Sequence, residues 1–427
     1  MKKTKVTIIG LGYVGLPLAC LCAEKGLEVR GLEVDKGKAE KINKGLSPLK
    51  DSDLEKKVKK LKGRIFATTS PGEALEGADV AIIAVPTPSK DHRPDLKFVE
   101  SACKTLSGFL EKGMLVIIES TIFPGTTEEF VKPLLEKNGL KAGEDFFLAH
   151  CPERIDPGNR KWTLEKIPRV LGGITGKDAA RATGFYRKIL ESEIKMLDSP
   201  REAEAVKVYE NSFRDINIAF VNELAKSFDK MGINITSVIE GAKTKPFGFM
   251  PFYPGPGVGG HCIPKDPYYL IESARRAGFE HEFLLLARKI NDSMPAYCVS
   301  LLEKALEKKG SGLKGSKIAL LGLAYKPEID DLRESPSLSI LALLKKRGAK
   351  VNAFDPFIKI SGCANSIEDA VVGCDAVIVG TNHKGIVKTL SPAFAKKHGL
   401  KILIDTRNCL KRKAFEKAGI LYKGVGR

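Results

Sequence analysis

The feature that most constrains the fold of this chain is an apolar run that leads directly into a glycine-rich turn. "KVTIIG" has the pattern of a buried strand, "GLGYVG" places glycines at positions 10, 12 and 15, and a helical pattern follows over 14–25. In this context Gly10 permits a tight turn, Gly12 lets an anion approach the backbone, and Gly15 lets the helix pack closely. The helix N-terminus then faces the anion. The pattern predicts a dinucleotide-binding βαβ unit, and a purely structural glycine turn is the alternative.

An acidic residue at the end of the next strand indicates which dinucleotide is bound. The second strand pattern, "EVRGLEV", brings Glu33 to the position where a carboxylate bonds the 2′-hydroxyl of the adenosine ribose. A carboxylate there favours NAD over NADP, and Asp35 is the competing candidate for the same role.

The rest of the chain alternates between strand and helix patterns around a helical middle. "DVAIIAVP" and "MLVIIEST" read as strands, 200–231 as one long helix, and 233–243, 268–277 and 282–309 as further helices. Strand patterns return from 316, after the Gly/Ser-rich linker 308–317. We therefore predict an α/β fold with domains over 1–198, 199–310 and 311–427.

Composition limits the class of protein. The net charge is +18, but 70 basic residues are interleaved with 52 acidic ones without a long basic run, so a nucleic-acid partner is disfavoured. No stretch reaches the ~20 apolar residues of a membrane span, and no signal peptide is recognisable, so we expect a soluble cytoplasmic protein. The nine cysteines include no Cys-x-x-Cys, and we expect no metal site. Glutamine is absent, which is typical of thermophilic sources.

Four polar residues lie where the predicted elements make them candidates for a site. Thr87 and Thr121 follow two strand patterns, at the strand ends where α/β sheets bind ligands. Lys207 and Asn211 are four residues apart on the long helix and share a face. Each of the four also has an ordinary alternative, as a loop threonine or a solvated helix residue.

The stretch 257–270, "GVGGHCIPKDPYYL", surrounds Cys262 with glycines and prolines. Gly259 and Gly260 would let the chain bring the thiol into a confined space, and Asp266 would orient or deprotonate a neighbouring group. A nearby lysine would favour the nucleophilic thiolate. From the residues alone, a catalytic cysteine and a packing cysteine both remain open.

Taken together, these motifs identify a resemblance to the nucleotide-sugar 6-dehydrogenases, the UDP-glucose/GDP-mannose dehydrogenase superfamily. The resemblance covers nearly the whole chain and is carried by "GLGYVG", "VPTP", "ESTIFPGTT", "CPERIDPGN", "EAVKVYENSFRDINIAFVNE", "GPGVGGHCIPKDP" and "LAYKPEIDDLRESP". It implies two Rossmann-like domains joined by a central helical region, whose long helix also forms a homodimer. It also implies oxidation of a sugar C6 alcohol to a carboxylate with two NAD⁺, through a thiohemiacetal and a thioester on Cys262.

The resemblance assigns further roles to individual positions. It implies that the catalytic residues are Cys262, Lys207, Asn211, Asp266, Thr121 and Glu153. It implies that the residues around NAD are Gly10, Gly12, Tyr13, Val14, Gly15, Glu33, Lys38, Pro86, Thr87, Thr121 and Arg333. It implies that the residues around the UDP-sugar are Glu153, Arg154, Lys207, Asn211, Tyr253, Gly257, Gly259, Tyr325, Lys326 and Arg407.

One departure indicates the branch of the family. The UDP-glucose branch typically has a second glutamate four residues after the first, whereas Pro157 stands four residues after Glu153 here, and Arg154 replaces an apolar residue. This pattern resembles the branch that oxidises UDP-N-acetylhexosamines, because Arg154 would reach an acyl carbonyl or a phosphate. N-acetylglucosamine and N-acetylmannosamine remain equally open. The alternatives are a UDP-glucose 6-dehydrogenase and, more remotely, a single-step NAD-dependent hydroxyacid dehydrogenase.

Overall fold

The structure is a computed structural model, and it describes residues 3–49, 51–90, 93–155 and 161–427. It contains two compact units. The first comprises Met1–Glu210 with Tyr268–Phe279, and the second comprises Asn211–Pro267 with Glu280–Arg427. Each unit contains a parallel sheet with helices, which confirms the predicted α/β class with a central helical region. The three predicted domain ranges remain a prediction.

The first unit is built on an eight-stranded sheet. Its strands and one short hairpin (β5–β6) are β1 Lys5–Ile9, β2 Glu28–Leu32, β3 Ile65–Thr68, β4 Val80–Ile83, β5 Ser89–Lys90, β6 Arg93–Pro94, β7 Leu115–Ile118, β8 Phe147–His150, β9 Arg169–Gly173 and β10 Ile194–Leu197. The sheet order is β10-β9-β8-β7-β4-β1-β2-β3, and all pairs are parallel except β8–β9. Strands β3, β8, β9 and β10 were not predicted, because their apolar runs are short.

Helices cover both faces of this sheet. They are α1 Gly15–Glu24, α2 Lys36–Asn43, α3 Ser52–Lys60, α4 Pro71–Leu75, α5 Lys97–Ser107, α6 Lys132–Leu135 and α7 Gly176–Tyr186, with a π-helical turn Thr127–Val131 and a 3₁₀ turn Glu136–Asn138 flanking α6. Along β4, Val80 and Ile82 belong to one apolar core, and Ala81 and Ile83 to another. Since successive side chains of a strand point to opposite faces, the two cores lie on opposite sides of the sheet.

The middle of the chain is helical, as predicted. It contains α8 Pro200–Lys230, α9 Ile235–Ala242, α10 Asp266–Arg276, α11 Glu282–Asp292 and α12 Met294–Glu307. The prediction of one helix over 282–309 is wrong, because the helix is interrupted at Ser293. Pro295 explains the break, since proline lacks the N–H that a helix interior needs but fits a first turn.

The second unit contains a five-stranded, fully parallel sheet. Its strands are β11 Lys317–Leu321, β12 Lys350–Phe354, β13 Ala376–Val379, β14 Ile402–Asp405 and β15 Leu421–Gly424, in the order β12-β11-β13-β14-β15. Its remaining helices are α13 Pro336–Lys346, α14 Ile367–Val371, α15 Lys384–Thr389, α16 Pro392–Lys397 and α17 Arg412–Lys417. Four of the five strands were predicted, and β15 was missed because its short sequence, LYKG, has no continuous apolar run. Within the described part of the chain, no helix combines the length and apolarity that a bilayer span requires.

Candidate active site

The glycine turn after β1 has the geometry of a dinucleotide cradle. Gly10 has φ +94°, and a Cβ on it would lie 2.7 Å from the carbonyl oxygen of Ala84. A Cβ on Gly15 would lie 1.9 Å from the carbonyl oxygen of Gly10, so only glycine lets α1 start this close to the turn. Beside Gly12, by contrast, no atom lies within 4 Å of the Cβ position. Val14 provides no side-chain cap for α1, so the helix N-terminus and the open space beside Gly12 suit a pyrophosphate.

The two carboxylates after β2 have different surroundings. Glu33 is buried, and its oxygens accept hydrogen bonds from the backbone N–H of Leu11 and of Asp35, both at 3.1 Å. Asp35 instead caps α2 by accepting from the N–H of Lys38 at 3.1 Å. Glu33 is therefore the carboxylate that contacts the glycine turn. Tyr13 is exposed beside that turn, and together these residues fit the adenosine half of NAD.

Two loops at the carboxyl ends of β4 and β7 carry the predicted threonines. Thr87 is buried and Thr121 half-buried, while Pro86 is exposed. The hydroxyl of Ser120 joins the loops, because it accepts from the N–H of Val85 at 3.0 Å and contacts the Val85 carbonyl at 2.9 Å. The loops are thus held side by side at the sheet edge where ligands bind.

Glu153 and Arg154 follow β8. Glu153 is buried, and its carboxylate accepts from the N–H of Ile155. The guanidinium of Arg154 forms an ion pair with Glu210 on α8 and donates to the carbonyl of Pro168 at 2.7 Å. The partners of Arg154 in this structure are therefore protein groups. Residues 156–159 of the predicted "PERIDPGN" motif, Pro157 among them, lie outside the described residues.

A buried ionic cluster behind this strand end was not predicted. The hydroxyl of Tyr186 donates to Glu119, and an Arg169 guanidinium nitrogen lies 3.9 Å from the same carboxylate oxygen. Burial raises the pKa of Glu119, although Arg169 and Tyr186 oppose this. Neighbouring His150 is neutral, because burial lowers its pKa to about 3. These residues lie on β8, β9, α7 and the end of β7, so no short motif could have revealed the cluster.

The Cys262 loop leads directly into α10. The carbonyl of Cys262 accepts from the N–H of Lys265 at 2.9 Å and from that of Asp266 at 2.8 Å. Asn211 on α8 donates its side-chain amide to Asp266 at 2.6 Å. The structure therefore brings two predicted site residues, Asn211 and Asp266, into contact. Lys207 lies one turn earlier on the same face of α8 and is buried.

The glycines before Cys262 pack closely against other parts of the second unit. A Cβ on Gly259 would lie 2.7 Å from Tyr325 Cβ and 2.8 Å from the carbonyl oxygen of Glu334. A Cβ on Gly260 would lie 2.8 Å from the ring of Tyr325. The glycines allow the loop to pack against Tyr325, a contact that the sequence alone could not reveal. The expected role of these glycines, to bring the Cys262 thiol into a confined space, stays a prediction.

The remaining predicted residues of the second unit have these surroundings. Arg407 donates to the carbonyls of Gly380 at 3.0 Å and Tyr325 at 3.3 Å, and is thereby held next to the Tyr325 backbone. The carbonyl of Arg333 accepts from the N–H of Gly260 at 2.9 Å. Arg333 forms an ion pair with Asp331, and the Tyr253 hydroxyl donates to Glu240 at 2.6 Å. The Cβ position of Gly257 lies 3.1 Å from the carbonyl oxygen of Asn291, and Lys326 is half-buried.

The nine cysteines divide clearly by exposure. Cys262 is exposed, Cys363 and Cys409 are intermediate, and the other six are buried. Burial raises the pKa of Cys20, Cys103 and Cys298 to about 12, so these thiols stay protonated at neutral pH. Most of the cysteines are therefore small apolar core residues, as predicted. Among the described residues, no three His, Cys, Asp or Glu side chains are grouped so as to hold a metal ion.

Comparison with known proteins agrees with this geometry over all parts of the chain. Three family models match: the NAD binding domain of the UDP-glucose/GDP-mannose dehydrogenase family at 4–190, its central domain at 201–293 and its UDP binding domain at 319–412. A UDP-N-acetyl-D-mannosamine dehydrogenase of Pyrococcus horikoshii is 38% identical over 425 residues, covering 99% of both chains. A UDP-N-acetyl-D-glucosamine 6-dehydrogenase of Pseudomonas aeruginosa is 40% identical over 388 residues, covering 90% of this chain and 89% of the other.

A solved structure extends the likeness to three dimensions. The structure described as UDP-D-ManNAc dehydrogenase from Pyrococcus horikoshii matches with a TM-score of 0.93, 38% identity and 99% coverage of both chains. The chain belongs to the UDP-glucose/GDP-mannose dehydrogenase family. It is accordingly an oxidoreductase with an NAD-binding domain, and its reaction class is the NAD-dependent oxidation of a UDP-sugar.

Proposed function

We propose that the protein oxidises the C6 alcohol of a UDP-N-acetylhexosamine to the carboxylate, a four-electron reaction that uses two NAD⁺. The observation that carries this proposal is the similarity, at 38% identity over 99% of both chains, to a UDP-N-acetyl-D-mannosamine dehydrogenase. The similarity to a UDP-N-acetyl-D-glucosamine 6-dehydrogenase supports the same class of sugar. The glycine turn and Glu33 provide the features that NAD requires.

Cys262 is the covalent catalyst in this proposal. NAD⁺ bound at the glycine turn supplies the acceptor for the two hydrides that leave C6, one in each oxidation. The Cys262 sulfur adds to the C6 aldehyde to form a C–S bond, and the former carbonyl oxygen takes a proton. After the second oxidation the carbon is a thioester, and water breaks the C–S bond to release the acid and the thiol. The exposure of Cys262, compared with the six buried thiols, supports this role.

Polar groups around the reacting carbon complete the proposal. Lys207 and Asn211 stabilise the negative charge that develops on the C6 oxygen, since preorganised donors act most strongly on developing charge. Asp266 orients Asn211, in keeping with their hydrogen bond of 2.6 Å. Thr121 and Glu153 handle the proton and the hydrolytic water.

Further residues of the proposal hold the two ligands. Around NAD these are Gly10, Gly12, Tyr13, Val14, Gly15, Glu33, Lys38, Pro86, Thr87, Thr121 and Arg333. Around the UDP-sugar they are Arg154, Tyr253, Gly257, Gly259, Tyr325, Lys326 and Arg407. For Arg154 to reach the substrate, its guanidinium has to leave Glu210 and the Pro168 carbonyl.

A panel of UDP-sugars tests the substrate class. We expect NADH formation and release of the uronic acid with UDP-N-acetylmannosamine or UDP-N-acetylglucosamine, at a higher kcat/KM than with UDP-glucose. NADP⁺ should serve poorly as the acceptor, because Glu33 repels a 2′-phosphate. A higher kcat/KM with UDP-glucose than with both acetylated sugars would make the branch assignment wrong.

Replacement of Cys262 tests the covalent step. Cys262→Ser should reduce steady-state NADH formation by orders of magnitude while UDP-sugar and NAD⁺ still bind, since a serine hydroxyl is a poor nucleophile without an activating base. Cys363→Ser is the matched control, because Cys363 is a partly exposed thiol without a proposed role. Intact-protein mass spectrometry after substrate addition should find an adduct on the protein that is absent from Cys262→Ala. Near wild-type uronic acid formation by Cys262→Ala would make the cysteine a packing residue.

A homodimer through α8 is part of the same proposal. Tyr209, Phe213 and Phe220 recur at a spacing that places them on one stripe of α8, and they are 67%, 38% and 60% exposed. An apolar stripe of this kind is typical of a covered surface. Sedimentation should find a dimer at micromolar concentration, and a stable, active monomer would contradict this part of the proposal.

A further inference from the structure

A buried glutamate on α8 holds the segment that contains Thr121. Glu204 is fully buried, and one of its carboxylate oxygens accepts from the N–H of Gly125 at 2.5 Å. The other oxygen accepts from the N–H of Thr127 at 2.7 Å and from its hydroxyl at 2.6 Å. Three donors from residues 125–127 thus converge on one side chain, and these residues directly follow the loop that carries Thr121.

The same stretch of α8 carries other contacts to this loop. Glu204 lies one turn before Lys207, and Val208 packs in an apolar cluster with Phe123 and Tyr269. On α10, the Tyr269 hydroxyl donates to the carbonyl of Thr87 at 2.5 Å, which ties the second threonine loop to the same cluster. Within the first unit, buried contacts therefore hold the residues that follow Thr121 against α8, and Glu204 makes the buried polar contacts from that helix.

Burying the carboxylate of Glu204 at the start of the short helical turn Thr127–Val131 costs free energy. Burial raises the pKa of Glu204 to about 7, hydrogen bonds from Thr127 and Gly125 oppose the rise, and Glu128 adds to it. Because this pKa lies above the ~4.3 of a free glutamate, the group contributes stability that is fully present below about pH 4 and is lost as the pH rises through about 7. The anion is thus held at neutral pH at a cost in stability.

Other charged side chains on the elements around this carboxylate form ion pairs with one another. Arg201, one turn earlier on α8, donates to Glu128 at 2.8 Å and to Glu129 at 2.7 Å. On α10, the Arg276 guanidinium lies 4.8 Å from the centre of the Phe123 ring and pairs with Glu272. The hydroxyl of Ser273, also on α10, donates to the carbonyl of Pro124 at 3.1 Å.

We propose that Glu204 is a positioning residue: its carboxylate anion fixes the Thr121 segment against the part of α8 that carries Lys207. The inference rests on the proposed function, because it concerns two of the residues to which that function assigns roles. An anion matches three donors, whereas a protonated carboxyl group directs its own O–H toward them. Protonation therefore changes the hydrogen bonds that set the position of the segment, and turnover falls on the acid side of neutrality without a matching loss of ligand binding.

The test compares Glu204→Gln with Glu202→Gln. Glu202 is an exposed carboxylate on the same helix end that accepts from the N–H of Asp198 at 2.8 Å, so it controls for removal of a charge from α8. With UDP-N-acetylmannosamine and NAD⁺, Glu204→Gln should reduce kcat about tenfold or more while KM and the Kd for NAD⁺ stay within about threefold, and the acid limb of the kcat–pH profile near pH 7 should disappear. Hydrogen exchange of 121–131 should become faster. Glu202→Gln should resemble the wild type in all these measurements.

A second variant covers the case in which Glu204→Gln does not fold. Thr127→Val removes only the hydroxyl donor, so it should raise the pKa of Glu204 further and move the acid limb of kcat to higher pH. Unchanged kcat, an unchanged acid limb and unchanged exchange of 121–131 in the folded variants would overturn the proposal.

The exchange measurement needs no substrate, so it separates this proposal from the proposed function. If the wild type oxidises none of the UDP-sugars, the proposed function fails. The pH dependence of exchange in 121–131, wild type against variant, then still decides the role of Glu204: a difference that grows above pH 7 supports it, and no difference overturns it.

Discussion

The turn after β1 in the first unit and the turn after β11 in the second unit begin in the same way. Gly10 has φ +94° and Gly322 has φ +90°. The N–H of Gly10 donates to the carbonyl of Leu32 at 2.9 Å, and that of Gly322 to Phe354 at 2.7 Å. Each glycine thus directly follows the first strand of its sheet in chain order. Its N–H donates to the carbonyl of the last residue of the neighbouring strand.

A carboxylate follows that neighbouring strand in both units. Glu33, after β2, accepts from the N–H of Leu11, and Asp355, after β12, accepts from the N–H of Leu323 at 2.6 Å and of Ala324 at 2.9 Å. Asp355 also contacts Nε2 of buried His383 at 3.1 Å. The acid of the second unit is therefore surrounded by protein donors, whereas Glu33 accepts backbone hydrogen bonds from Leu11 and Asp35.

The two turns then diverge. In the first unit Gly12 leaves open space, and α1 starts at Gly15. In the second unit Ala324 replaces the second glycine, and residues 325–335 separate it from α13. The first turn thus leaves room beside its backbone, and the second is followed by a longer loop whose Tyr325 packs against Gly259 and Gly260. The comparison teaches that the same strand–turn design can lead either directly into a helix or into a loop of side chains, depending on the length of chain before the helix.

The largest effect should come from the shared glycines. Gly10→Ala and Gly322→Ala should each reduce the free energy of unfolding by roughly 2–5 kcal/mol, since both add strain at positive φ and overpacking. A Cβ on Gly322 would lie 2.6 Å from backbone atoms of Thr381, much as that on Gly10 meets Ala84. Urea unfolding monitored by circular dichroism measures both losses. A loss at one glycine only would break the comparison.

Substitution of the two carboxylates, Asp355 and Glu33, should have an intermediate effect on stability. Asp355→Asn should cost about 1–3 kcal/mol at pH 7, because an amide leaves buried N–H donors without an acceptor. Burial alone would raise the pKa of Asp355, but hydrogen bonds from His383 and from the backbone lower it. Stability from this group is therefore present above about pH 4 and lost as the pH falls through the lowered pKa. The difference in Tm between wild type and Asp355→Asn should thus shrink on acidification from pH 7 to about pH 3.

Glu33→Gln is the counterpart in the first unit. It should cost less stability than Asp355→Asn, because fewer donors depend on it, and it should weaken NAD⁺ binding, which Asp355→Asn leaves unchanged. Calorimetric titration with NAD⁺ distinguishes the two, and an equal loss of NAD⁺ affinity in both variants would contradict the assignment of the cofactor to the first turn.

The smallest change in stability is expected for Gly12→Ala, which should nevertheless change NAD⁺ binding most clearly. Gly12→Ala meets no protein atom within 4 Å, so its Tm should stay near that of the wild type. Its Kd for NAD⁺ should nevertheless rise about tenfold or more, because the methyl group takes the space of the pyrophosphate. Ala324→Gly is the matched control, which should cost up to about 1 kcal/mol in chain entropy and leave NAD⁺ binding unaffected. Unchanged NAD⁺ affinity of Gly12→Ala would place the cofactor elsewhere.

Local patterns account for what the sequence could predict. Some features depend only on residues close together in the chain: the glycine turn, Glu33, the long helix and the i,i+4 pair of Lys207 and Asn211. Other features depend on residues that are far apart in the chain: the packing of Tyr325 beside Gly259, the cluster of Glu119, Arg169 and Tyr186, and the contact of Glu204 with Thr127. Such contacts follow only from packing, so the sequence indicated that Cys262 lies in a glycine-rich loop but not that these glycines pack against Tyr325.

The unequal exposure of the thiols has a practical consequence. A water-soluble alkylating reagent meets Cys262 first, since the buried thiols are both shielded and held protonated by their raised pKa values. Cys363, which is of intermediate exposure, should react next. The number of labels per chain therefore reports how many thiols the reagent reaches. If Cys262 is the covalent catalyst that we propose, peroxide should inactivate the enzyme by oxidising this sulfur before it reaches the buried thiols.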